Sequence, residues 1–101
     1  MAVSDKPWSQ FSEADYADAG AYCDASLINL NTGPRSGWTK DKCKLRYREP
    51  GGAISRNGCH AAAARFNQTQ APASAKASAR RKLASIYRND LKEDPPDVLT
   101  G

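Results

Sequence analysis

The chain lacks most of the features by which enzymes and membrane proteins declare themselves. Its 101 residues include one histidine, His60, and no nucleophile elbow, zinc-binding helix, phosphate-binding loop or dinucleotide fingerprint. No apolar run approaches the roughly 18 residues of a membrane span, and the opening residues contain no signal-like apolar stretch. The expectation is a protein with no membrane partner that stays in the cytoplasm or in a particle assembled there.

Large apolar side chains are also scarce. Much of the 40% hydrophobic fraction is alanine, which gains little from burial beside the roughly 1.5–3 kcal/mol of a Leu or Phe. A chain of this length buries only about two-thirds of its unfolded surface. One thin-cored domain that gains order from a partner is predicted.

The three cysteines, Cys23, Cys43 and Cys59, are odd in number and widely spaced, which argues against a disulfide framework and for free buried thiols. Together with His60 they match a zinc site in number, yet they lack the short C-x-x-C pairing that such sites use. His60 falls in the first turn of a predicted helix, where the neutral ring is favoured, and general acid–base work would need a partner that the sequence does not identify. No catalytic residue, metal or cofactor is assigned.

What is abundant is charge, unevenly laid out. The net charge of +4 divides into −4 over residues 1–26, +6 over 35–65, +5 over 72–92 and −3 over 93–101. Acidic ends around a basic middle suit an anionic partner or packing of copies of the chain.

Local signals place the elements. Residues 1–11 read as an arm, with Trp8 and Phe11 as aromatics that a free arm would not need. Ser12 with Asp15 resembles a capping box, which predicts a short helix between residues 13 and 26. Residues 31–37 hold two glycines and a proline and read as a loop. From residue 40 to residue 50 the pattern alternates, with Lys40, Lys42, Lys44, Arg46 and Arg48 on one parity, and predicts a strand with a basic face. Pro50-Gly51-Gly52 is turn chemistry, with 53–55 returning as the second arm of a hairpin. Asn57 is the expected N-cap of a helix over 58–67. Pro72 opens a second helix reaching about residue 91, the two forming a helical hairpin, and Pro95-Pro96 ends it.

The basic ladder is the candidate interaction feature. Alternate residues of a strand lie about 6.6–6.8 Å apart, which suits contact with an anionic surface. The plain alternative is an edge strand guarded by lysines against unwanted pairing. Five bases in register exceed what such a guard needs, and an acidic protein is favoured over nucleic acid. Arg80-Arg81-Lys82 invites a helix-turn-helix reading, but bases surround that helix and it offers few Asn or Gln side chains for reading base edges.

One set of motifs points further: Arg48-Glu49-Pro50, the glycine turn, Arg56-Asn57-Gly58, an alanine run closed by Arg65-Phe66-Asn67-Gln68, then a Pro-led helix with Arg81-Lys82-Leu83 and Tyr87-Arg88. Residues 43–97 thereby resemble a small domain that recurs in tailed-bacteriophage proteins, beside head genes or appended to head-maturation and capsid-associated proteins. Pro7-Trp8-Ser9-Gln10-Phe11 is similar to the start of such proteins. The loop over residues 31–40 and Cys59 have no place in that pattern, and the resemblance carries over no catalytic residue.

The reading is a mainly helical α+β domain over residues 12–92 with a short β-hairpin and a C-terminal helical hairpin, an arm over 1–11 and an acidic tail over 93–101, both ends extended. The resemblance implies a virion structural protein that binds the capsid shell as a decoration or minor capsid protein. Its partner would be the major capsid protein or another head protein, with self-association on the shell a further option. The interaction residues are Trp8, Phe11, Lys40, Lys42, Lys44, Arg46 and Arg48. The alternative is a small basic nucleic-acid-binding protein.

Overall fold

The computed structural model describes residues 3–100. It contains α1 (Ala19–Asp24), β1 (Ser26–Asn29), β2 (Cys43–Arg46), α2 (Arg56–Arg65), α3 (Ala73–Ile86) and α4 (Asp97–Thr100), with 3-10 turns between several of them. The fold is the expected small α+β domain. The two strands pair antiparallel, with Ser26 opposite Arg46 and Ile28 opposite Lys44. The partner of β2 is therefore β1, with its apolar residues Leu27 and Ile28, while the expected return arm over 53–55 shrinks to one bridge between Arg48 and Ile54. The turn is formed as predicted, Gly52 N–H donating to the Glu49 carbonyl at 2.8 Å with Gly52 at φ +96°.

Helix α3 begins directly after Pro72, whose missing N–H costs nothing there. Its stripe of Ala79, Leu83 and Ile86 is buried and lies on β1 and α4, whereas α2 lies on β2. The helix closes in a π-helical turn (Tyr87–Leu91), and Lys92 takes the left-handed conformation at φ +58° to stop it. The cap of α2 is Ser55, not the expected Asn57: the buried Ser55 hydroxyl accepts from Gly58 N–H at 2.9 Å. Asn57 instead donates to the Lys6 carbonyl at 2.8 Å.

Two clusters make the core. The larger one joins Ile28, Tyr47, Ile54, Cys59, Phe66, Leu83, Tyr87 and Leu99 with alanines of α2 and α3. The smaller one gathers Tyr16, Tyr22, Cys23, Ala25 and Cys43. Here the free-thiol expectation is overturned, because Cys23 and Cys43 form a disulfide with their Cα atoms 5.3 Å apart. The end of α1 packs against the start of β2, so two cysteines 20 residues apart in sequence become neighbours. Asn31 braces the bond from outside, its side-chain amide donating to the Thr39 carbonyl at 3.0 Å and lying 3.3 Å from Cys43 Sγ. Cys59 stays free, buried in the larger cluster. The four residues weighed as a zinc set therefore do not converge.

The ends also differ from the expected extended arm and tail, so far as residues 3–100 reach. Ser4 bridges Ser55 in parallel, and Asp5 pairs with Arg56 at 2.7 Å. Arg56 also meets Glu93 and the Leu91 carbonyl, so one guanidinium gathers both ends onto α2. On the tail, α4 buries Leu99 against α3, an apolar contact that the acidic residues around it conceal in the sequence. Met1, Ala2 and Gly101, the outermost parts of the predicted arm and tail, lie outside the described residues.

Candidate interaction groove

The predicted basic ladder is not one continuous strand. Lys40–Lys42 forms a 3-10 turn before β2 starts, and Leu45 in mid-strand has φ +62°, a conformation that costs a branched side chain roughly 1–2 kcal/mol. Both features break the alternation, so the five bases do not share a face. Each follows its own course.

Arg46 lies over the protein's own aromatics, with its guanidinium 4.6 Å from the Trp8 ring centre and 5.6 Å from that of Tyr16. Arg48 stands 5.2 Å over Tyr47 and donates to the Gly52 carbonyl at 2.8 Å, fastening the turn. Lys44 reaches back to the Asp41 carbonyl at 2.8 Å, and Lys40 donates to the Glu13 carbonyl at 2.7 Å while standing 5.9 Å over Tyr22. Lys42 is exposed. Phe11 packs edge-to-face on Trp8, with centroids 6.0 Å apart.

What these residues build is a groove of about 500 Å³ between β2 and the far end of α2. Trp8, Lys40, Lys44 and Arg46 line it, together with Tyr22, Glu13, Asp41 and, from the α2 side, Arg65, Thr69 and Gln70. Four of the seven predicted interaction residues thus meet in one place, while Lys42, Arg48 and Phe11 lie off its walls. Arg65 was missed, and its only trace in the sequence is its position closing the alanine run. Four bases face two acids, so the groove is net positive.

The hydrogen-bonding groups of the groove are set by their surroundings. Burial, then the neighbouring Glu13 carboxylate, raises the Tyr22 phenol above its ordinary range, which leaves it a neutral donor. Asp41 is held below the usual carboxylate range, first by the Thr39 side chain, and stays charged. The Arg46 Nη1 is buried and has no acceptor among the described residues.

The two residues with reactive side chains stand elsewhere. Burial in the core pushes the Cys59 thiol up to about 12, far from the thiolate form that reacts at neutral pH. His60 is on the surface, with Nε2 2.8 Å from a Glu93 carboxylate oxygen and the ring tilted over Tyr87. Neither lines the groove, whose walls offer positive charge and N–H donors and so suit the binding of an anion.

The motifs singled out in the sequence work mainly as joints of the fold. Arg48 ties the turn, Arg56 gathers the ends, and Phe66 is fully buried beneath Lys76 and Arg80. Among the described residues no helix is long and apolar enough to cross a membrane. Comparison with protein-family models, curated proteins and solved structures gave no match.

Proposed function

We propose that the protein is a non-catalytic attachment protein that docks on an acidic protein surface through the cationic groove. The surface we assign is the capsid shell of a tailed bacteriophage, where the protein would sit in the virion as a decoration or minor capsid component. The observation that carries the attachment reading is the state of the bases. Of fifteen lysines and arginines, only Arg35 and Arg56 meet a carboxylate among the described residues, which leaves thirteen without one. Cationic surface in that excess favours association with a partner of opposite sign.

The choice of a capsid rests on the resemblance over residues 43–97. A small molecule most of whose cations meet no carboxylate among the described residues suits a role in which a large partner supplies part of the stability. Nucleic acid is the second reading, favoured by the number of bases and opposed by the groove's own acids.

Co-sedimentation with purified capsid shells tests the proposal. Wild-type protein should load and the Lys40→Ser/Lys44→Ser/Arg65→Ser variant should load markedly less, since each exposed pair contributes about 0.2–1 kcal/mol and a lattice multiplies the loss. If instead the wild type ignores shells and binds DNA with a steep salt slope, about 0.7–0.9 per phosphate contact, the nucleic-acid reading takes its place.

A further inference from the structure

The groove has the build of a peptide site and not only of a charged surface. Arg46 lines it, with its guanidinium carbon 4.6 Å from the Trp8 ring centre and 5.6 Å from that of Tyr16. Its Nη2 makes a long 3.5 Å hydrogen bond to the Phe11 carbonyl, while Nη1 is buried and has no acceptor among the described residues. No carboxylate of the described residues pairs with this guanidinium. A partly buried arginine with no counter-ion is stabilised by negative charge brought into the groove beside it.

The surroundings extend the same chemistry. Lys40 and Lys44 are held in place by main-chain carbonyls at 2.7 and 2.8 Å, so part of the ordering they would need on binding is already done. Arg65 is exposed on the opposite wall. At about 500 Å³ the groove falls in the size range of small-ligand sites and takes a few residues of chain, not a duplex.

We infer that the groove binds an extended acidic segment of a partner protein, its carboxylates facing Lys40, Lys44 and Arg65 beside the charge of Arg46. This deepens the attachment reading and rests on it. A nucleic-acid strand fits less well for two reasons. Glu13 and Asp41 stand in the walls and would repel a backbone charged at every nucleotide, whereas a peptide can space its carboxylates around them. Single-strand binders also offer open aromatic faces for stacking, and here Tyr22 is only 8% exposed while Trp8 is covered by Arg46 and by Gly58 of α2.

The test is an amide-shift titration of the whole protein with a short, end-blocked, glutamate-rich peptide, against its glutamine counterpart, oligothymidylate and inorganic phosphate. The glutamate peptide should shift residues 40–46, Arg65, Thr69 and Gln70, the glutamine peptide should not bind, and Lys44→Ser/Arg65→Ser should weaken binding by about tenfold. Arg65 is exposed and Lys44 half-buried, and circular dichroism checks that the fold is kept. Tighter binding of oligothymidylate, binding untouched by the double variant, or shifts elsewhere on the molecule would overturn the inference. Shell loading that persists without peptide binding overturns it too while leaving the attachment reading intact, and peptide binding without shell loading does the reverse.

Discussion

Gly58 of α2 stands so close to Trp8 that a β-carbon on it would lie 2.8 Å from the indole ring. The same indole carries the Arg46 guanidinium 4.6 Å from its centre. Trp8 is thus the spacer between α2 and the arginine of the groove, and the glycine in Arg56-Asn57-Gly58 is what lets it approach.

A sign reversal follows. Within a helix, alanine is favoured over glycine by about 1 kcal/mol, yet here the new methyl group must displace a ring. Gly58→Ala should destabilise the wild type by about 1–2 kcal/mol and stabilise a Trp8→Ala background by up to about 1 kcal/mol. Urea unfolding of the four proteins in this double-mutant cycle measures both numbers, and equal effects in the two backgrounds would remove Trp8 from the contact.

Thiol counting checks the cysteine chemistry. The native protein should show no thiol reactive at neutral pH, the unfolded unreduced protein one, from Cys59, and the unfolded reduced protein three. A disulfide closing a loop of 20 residues contributes roughly 3 kcal/mol. Cys23→Ser/Cys43→Ser should therefore melt about 10–20 °C lower. Two or more free thiols in the unreduced unfolded chain would contradict the pairing.

These cysteines show where the sequence was readable and where it was not. Spacing along a chain reports disulfides only when a known framework fixes it; Cys23 and Cys43 meet because α1 folds onto β2, which is long-range information. For the same reason β1 escaped notice: four residues with two large apolar side chains are too short for periodicity to mark a strand. The helix behind Pro72 was legible because proline, alanine content and a spaced apolar stripe agreed. Lys40, Lys44 and Arg46 were legible as a basic group, but not as walls of a groove, since the turn at 40–42 and the left-handed Leu45 leave no mark in the alternation. Arg65 reaches the groove only through the packing of α2 on β2.

Acid should loosen the junction of the two ends. His60 first, then Arg56, holds the Glu93 carboxyl below its ordinary 4.5. A carboxyl lowered in the folded state contributes stability that is complete above its unfolded value and is lost as pH falls through the folded one. Wild-type stability should accordingly drop below about pH 4.5, and part of that drop should vanish in Glu93→Gln. Chemical unfolding at a series of pH values reads it, and an identical pH dependence in the two proteins would contradict the role of Glu93.

Lys92 offers a stabilising change. It is exposed and left-handed at φ +58°, the conformation that glycine adopts without steric cost. Lys92→Gly should gain about 0.5–1 kcal/mol with the fold unchanged, as read by thermal melting. A loss would mean that the lysine side chain supports the end of the helix.

The account turns on which face of the protein meets its partner. Hydrogen exchange of the protein loaded on capsid shells, compared with the free protein, addresses this directly. The predicted result is slowed exchange at residues 40–46 and 61–70, the two walls of the groove, with the outer face of α3 unchanged. Slowed exchange along α3 with no change in the groove would contradict it.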